Sequence, residues 1–195
     1  MKGRLIFATK NKNKMTEIRE ILDGKGYEIL SMEEAGIDID VVEDGTTFEE
    51  NALIKARAIC DYVKDAVVLA DDSGLEVDYL GGAPGIYSAR WQGEDTSYTI
   101  KNQILLNKLE GVPEDDRTAR FVCAMAAAFP DGTDKVVRGT IEGIIGYESA
   151  GENGFGYDPI FFVPEYKCTT AEMTLQQKNE ISHRGKALRM IAEYL

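Results

Sequence analysis

Three lysines, Lys10, Lys12 and Lys14, fall within five residues of a chain whose 34 acidic residues outnumber its 22 lysines and arginines, for a formal net charge of −12. Ammonium groups concentrated at one place in an acidic protein suit a localised anion such as a phosphate. The segment Thr9, Lys10, Asn11, Lys12, Asn13, Lys14 follows an apolar run and opens a helical pattern. A helix N-terminus there would add unpaired N–H groups and the positive end of its dipole. The segment has neither the glycines nor the Lys-Ser/Thr pair of a Walker A loop, which argues against a P-loop ATPase. A solvated polar loop fits the same composition.

A second group of candidates is acidic. Asp71-Asp72-Ser73-Gly74 follows the apolar run 66–70, as expected of a strand that ends at a functional loop of an open α/β sheet. Neighbouring side chains of an extended chain point to opposite sides, so only one of the two carboxylates should face a ligand. With Glu43, from the acidic turn Glu43-Asp44-Gly45, it could hold Mg²⁺, which prefers one or two carboxylates together with water and phosphate oxygens. A turn that uses Asp, Ser and Gly for local hydrogen bonds is the alternative.

The only histidine, His183, rules out a His-cluster metal site, and no GxSxG accompanies it to suggest a serine triad. Together with Arg184 and Lys178 it supplies donors that could read a 6-oxo purine. A surface His-Arg pair is the plainer reading. In Gly154-Phe155-Gly156-Tyr157-Asp158-Pro159 the aromatics could stack on a base and Asp158 could accept from its N–H edge. Ordinary core packing would explain the same rings.

These residues need elements to position them. The run 4–9 reads as a buried strand and 14–22 as a helix with Met15, Ile18 and Leu22 on one face. A strand at 27–31 follows. Thr46-Thr47 and Glu49-Glu50 offer a capping box for a helix that buries Phe48, Ala52, Ala56, Ile59 and Val63. Residues 98–109 form a further helix. The long runs 118–129 and 135–147 flank Pro130-Asp131-Gly132-Thr133, a hairpin signal, and should build the sheet of a second lobe. Strand returns at 160–163, and 182–195 closes the chain as a helix with Leu188, Ile191 and Leu195 inward.

With 195 residues, 44% hydrophobic and 29% charged, the chain suits one domain, or two packed lobes sharing a core, with no repeat, linker or low-complexity stretch. The acidic balance argues against bulk binding to DNA or RNA. The N-terminal apolar run is too short for a signal peptide or a membrane span. Cys60, Cys123 and Cys168 are odd in number and widely spaced, which fits a reducing compartment and small core residues rather than disulfides or zinc.

Five segments in order, ATKNKNKMTEIREIL, TFEENALIKARA, ADDSGLEVDYLGGAPGIYSARW, GFGYDPIFFVPE and KNEISHRGKAL, resemble the inosine/xanthosine triphosphate pyrophosphatase family over nearly the whole chain. The resemblance implies an α/β fold in which an elongated mixed sheet and its helices form two lobes around a deep cleft, 1–195 being a single domain. It implies a cytoplasmic homodimer that hydrolyses ITP, dITP and XTP to the monophosphate and pyrophosphate, without a membrane or nucleic-acid partner. By position, Thr9, Lys10, Asn11, Lys12, Asn13, Lys14 and Lys55 would cradle the triphosphate. Glu43 and Asp72 would hold Mg²⁺, with Asp72 also the proton acceptor. Ser73, Phe155, Gly156, Tyr157, Asp158, Lys178, His183 and Arg184 would bind the nucleotide, the last two facing the 6-oxo base. Many members have glycine where this chain has Lys10. A pyrimidine-directed nucleotide pyrophosphatase of the Maf type, or a regulatory module that binds a triphosphate without cleaving it, are the competing readings.

Overall fold

The computed structural model describes residues 3–195. Strand β1 (Gly3–Phe7) is followed by helix α1 (Lys12–Leu22) and strand β2 (Tyr27–Ser31). β1 pairs in parallel with β2, Leu5 opposite Ile29, and with β3 (Val67–Val77), Ile6 opposite Val68. Between β2 and β3 lie residues 37–45, which have no regular structure, and helix α2 (Phe48–Val63). Helix α3 (Tyr98–Lys108), strands β4 (Thr118–Ala128), β5 (Asp134–Ile145), β6 (Phe161–Val163) and β7 (Cys168–Thr169), and helices α4 (Leu175–Ile181) and α5 (His183–Ile191) complete the chain. The strands form one seven-stranded mixed sheet in the order β2-β1-β3-β4-β5-β6-β7. The outer pairs β5–β6 and β6–β7 are antiparallel.

The chain divides into two compact units. Unit 1 comprises residues 1–72, 123–139 and 183–195; unit 2 comprises 73–122 and 140–182. The core of unit 1 joins Leu5, Phe7, Leu69, Cys123, Met125 and Ala127 from the strands to Met15, Ile18 and Leu22 of α1 and to Ala187, Leu188 and Ile191 of α5. The helical residues recur at intervals of three and four, the spacing that keeps one face of a helix against the sheet. Unit 2 packs Leu75, Val77, Leu105, Leu109, Phe121, Ile141, Ile145, Tyr157 and Phe161. There the buried Arg117 guanidinium donates to the carbonyls of Leu109 (2.6 Å), Ile145 (2.7 Å) and Gly146 (2.5 Å), tying the end of α3 to the loop after β5.

Several sequence expectations change. Asp71-Asp72-Ser73-Gly74 is not a loop after a strand, because β3 continues unbroken from Val67 to Val77. The apolar run is only the first part of the strand, which goes on through charged residues that a strand rarely holds. Second, the β4–β5 hairpin does not belong to a second lobe alone: residues 123–139 around its turn fall in unit 1. Third, the C-terminal helix is preceded by α4, which Thr174 and Gln177 close with a reciprocal capping box and which Ser182 ends in an extended conformation before α5 starts at His183. The first strand is also shorter than expected, and α1 begins at Lys12 because Asn11 caps it. Cys60, Cys123 and Cys168 are all free thiols, the first two buried as expected.

The start of α5 lies hard against β5. A Cβ added at Gly139 would come within 2.3 Å of the His183 carbonyl oxygen and 2.8 Å of the Ala187 nitrogen. Gly139→Ala should therefore cost about 1–3 kcal/mol through forced backbone shifts, read as a lower urea midpoint; an unchanged midpoint would show that the contact yields freely.

Candidate active site

In unit 1 the site is organised by β3. Adjacent residues of a strand face opposite ways, and the two aspartates meet different surroundings. Asp71 is 1% exposed. Its Oδ1 accepts from Lys14 Nζ at 2.9 Å and its Oδ2 from Arg184 Nη2 at 3.2 Å. The other end of the Arg184 guanidinium donates from Nη1 to Glu17 on α1. All four side chains are largely or fully withdrawn from solvent, and charges in that position persist only when paired and hydrogen-bonded. Burial pushes the Asp71 carboxyl up, but Lys14, Arg184 and Lys55 more than offset it and hold the group far below the usual carboxylate range.

Asp72 behaves in the opposite sense. Burial raises its carboxyl, the Asn51 hydrogen bond and Lys55 lower it, and the nearby charges of Glu43 and Asp71 raise it, leaving it at about 6. Its Oδ2 accepts from Asn51 Nδ2 at 3.1 Å. The Oδ1 of the same amide accepts from the Gly45 N–H at 2.9 Å, so one buried side chain holds both Asp72 and the turn that carries Glu43. Glu43 Oε1 in turn forms an ion pair with Lys55 Nζ at 2.9 Å, where α2 presents that lysine. Thr9, Lys10, Asn11, Glu43 and Lys55 line a common cavity of ≈ 310 Å³ with Ile39, Asp40 and Val41. Lys14, Glu43, Lys55 and Asp72, expected to share a ligand, are thus brought into one charged neighbourhood.

The rest of the lysine-rich segment divides. Asn11 is the N-cap of α1, and its Oδ1 takes the N–H groups of Asn13 (2.9 Å) and Lys14 (3.3 Å), so part of the expected backbone anion site is already occupied. Lys10 extends outward to Asp40 at 2.8 Å and Asp38 at 3.6 Å. Lys12 is exposed and borders a different depression, with Thr16, Arg19 and Glu34. Asn13 is exposed. His183 and Arg184 open α5 and are only 6% and 2% exposed, not the surface pair that their composition suggests. Among the described residues no group of three or more His, Cys, Asp or Glu side chains could hold a metal by itself.

In unit 2, Asp158 is 2% exposed and engaged on both oxygens. Oδ2 accepts from the Phe155 N–H and from Lys178 Nζ, each at 2.8 Å, and Oδ1 accepts from Thr170 Oγ1 at 2.7 Å. The Lys178 ammonium lies 4.9 Å from the centre of the Phe155 ring. Gly154 makes this fold of the loop possible: it has φ +73°, and a Cβ there would fall 2.2 Å from Asp158 Oδ2. Tyr157 is buried, with its hydroxyl donating to the Ser88 carbonyl at 2.9 Å, whereas Phe155 and Gly156 remain half-buried. From α3, Asn102 Nδ2 donates to the Gly156 carbonyl at 3.1 Å. Ser73 is half-buried within β3.

Glu17, Asn51 and Asn102 are not among the residues that the sequence points to, and Asp71 is so only as one of an acidic pair. Asn51 left a signal, since it follows Phe48 by three residues and precedes Ala52 on the apolar stripe of α2, where a polar side chain must find partners. Glu17 adjoins Ile18 at the edge of the α1 stripe. Nothing local marks Asp71 over Asp72 or singles out Asn102.

Comparison with known proteins shows the family of the chain. The model of the Ham1 family matches residues 5–194. The dITP/XTP pyrophosphatase of Desulforamulus reducens is 52% identical over 192 residues, covering 98% of this chain and 95% of that protein. The protein of the same name from Bacillus subtilis is 46% identical, covering 97% and 96%. The solved Ham1 protein of Staphylococcus aureus superposes with a TM-score of 0.87 at 42% identity, covering 98% of this chain and 97% of that one. That of Coxiella burnetii gives 0.88 at 38% identity, with the same coverage. A family model that spans almost every residue, together with likeness in both sequence and fold, makes this chain a member of the Ham1 family.

Proposed function

We propose that the protein hydrolyses altered-base purine nucleoside triphosphates, ITP, dITP and XTP, to the nucleoside monophosphate and pyrophosphate, keeping them out of DNA and RNA. The names of the relatives, dITP/XTP pyrophosphatases, support the substrate class. The observation that carries the reading is the division of labour on β3: Asp71 is fixed as a carboxylate among cations, while Asp72 sits at about 6. Two neighbouring acids with affinities for protons driven apart mark which of them handles a proton.

Lys14 and Lys55 face the polyphosphate, with Thr9, Lys10, Asn11, Lys12 and Asn13 as the outer part of its cradle. Asp72 accepts the proton of a water whose oxygen bonds to the α-phosphorus as the bond to the bridging oxygen breaks and pyrophosphate leaves. Positioning and charge supply most of the rate in phosphoryl chemistry. Glu43 and Asp72 suit Mg²⁺, because the charge of Glu43 helps to raise the proton affinity of Asp72 and a divalent cation between them would relieve that repulsion. Bound there, the ion would neutralise charge on the phosphate oxygens.

His183 and Arg184 supply donors to a 6-oxo purine, with Arg184 fixed in direction beforehand by Glu17 and Asp71. Ser73, Phe155, Gly156, Tyr157, Asp158 and Lys178 serve the nucleoside, Phe155 through its ring and the buried Asp158–Lys178 pair by holding the loop. A 6-amino base would set donor against donor, a mismatch that discriminates strongly in a buried site. We also propose a homodimer working in the cytoplasm. Among the described residues no helix is long and apolar enough to cross a membrane.

Incubation with ITP and Mg²⁺ should yield IMP and pyrophosphate; IDP and orthophosphate would overturn the reaction assignment. Asp72→Asn should cut kcat by about 10² to 10⁴. Its stability at pH 7.5 should not fall: a carboxyl raised in the folded state destabilises that state once ionised, so neutralising it removes a penalty. Near-normal turnover would remove Asp72 from catalysis. In the native enzyme kcat/KM should decline on the acid side, with an inflection at or below about 6 as a proton occupies Asp72. A bound cation would move that inflection lower; a kcat/KM that rises as the pH falls below about 6 would exclude Asp72 as proton acceptor. For base choice, His183→Ala is the cleaner variant, since Arg184→Ala takes a partner from each of two buried carboxylates, Glu17 and Asp71, at about 3–5 kcal/mol. The ITP-to-ATP preference should shrink in His183→Ala, and an unchanged ratio would dismiss His183 as a base reader.

A further inference from the structure

The α2 side chain Asn51 is 1% exposed and uses both ends of its amide, one on Asp72 and one on the backbone of the turn that follows Glu43. Nδ2 donates to Asp72 Oδ2 at 3.1 Å, and Oδ1 accepts the Gly45 N–H at 2.9 Å. Residues 37–45 have no helix or strand to fix them, so this amide is a direct tie between the turn after Glu43 and β3. The approach is close on both sides: a Cβ at Gly45 would lie 2.8 Å from Asn51 Oδ1 and 2.7 Å from Glu50 Cβ.

We infer that Asn51 is a positioning residue for the divalent-cation site, setting the separation of Glu43 and Asp72 before any ion arrives. Mg²⁺ demands near-ideal geometry and tolerates displaced ligands poorly, so the partners that orient its carboxylates govern affinity about as strongly as 10- to 100-fold. By occupying Oδ2 of Asp72, the amide also leaves the other oxygen for the ion or the water. The inference rests on the proposed assignment of Glu43 and Asp72 as metal-holding residues.

The test is direct calorimetric titration of the nucleotide-free protein with Mg²⁺, with folding of each variant checked by circular dichroism. Asn51→Leu should weaken Mg²⁺ binding by roughly tenfold or more. Gly45→Ala, which disturbs the same hydrogen bond from the opposite side, should weaken it in the same direction, and it keeps the test open should Asn51→Leu fold poorly. Glu43→Gln supplies the reference. Where Asn51 acts by placing Glu43, the double variant Glu43→Gln/Asn51→Leu binds no more weakly than the poorer of the two single variants. If Glu43→Gln weakens Mg²⁺ binding while Asn51→Leu and Gly45→Ala leave it unchanged, or if the losses simply multiply, the positioning role is overturned. If Glu43→Gln leaves Mg²⁺ binding unchanged, the metal assignment itself fails, and the inference with it.

Discussion

A carboxylate in the middle of a central strand, almost sealed from water, has to be compensated, and much of unit 1 is arranged around doing so for Asp71. Isolated charges do not survive burial; they protonate or recruit partners. Asp71 recruits Lys14 from α1 and Arg184 from α5, and Arg184 is itself balanced by Glu17. Two helices that approach β3 from distant parts of the sequence are thereby fixed in register with it. The apolar contacts of Met15, Ile18, Leu188 and Ile191 supply the bulk of the burial. They are compatible with many small sliding adjustments; the ion pairs are not, since a shift of an ångström leaves a buried charge unmatched.

This compensation also explains why neighbouring aspartates differ. The strand turns Asp71 towards the helices and Asp72 away from them, towards α2 and the Glu43 turn. One carboxylate is bonded to two cations; the other is bonded to a neutral amide, with the charge of Lys55 opposed by those of Glu43 and Asp71. The high proton affinity of Asp72 stands because Lys14 and Arg184 are engaged by Asp71 and not by it. Unit 2 shows a related solution in Asp158, whose oxygens are taken up by Lys178, Thr170 and the Phe155 N–H. There the pairing fixes a loop rather than a strand, and it needs Gly154 because any side chain at that position would strike the carboxylate. In both units acidic groups that look available to a ligand in the sequence are bound into the protein itself.

The sequence by itself determined a good deal: the opening strand and α1, the Thr47-capped α2, the β4–β5 hairpin, and the family on five ordered motifs. These rest on local rules, in which periodicity, caps and turn residues act within a few positions of one another. It also marked Lys14, Lys55, Glu43 and Asp72 as candidates. What the tertiary structure decided is where charge meets charge. Asp71-Asp72-Ser73-Gly74 looked like a loop because charged residues are costly in a strand, and only the arrival of Lys14 and Arg184, 57 and 113 positions away in the chain, removes that cost. The same holds for His183 and Arg184, which belong to the surface by composition and to the interior by partnership. Pairing across such separations leaves no periodic trace, because the stabilising partner is set by the packing of helices on the sheet and not by anything within reach along the backbone.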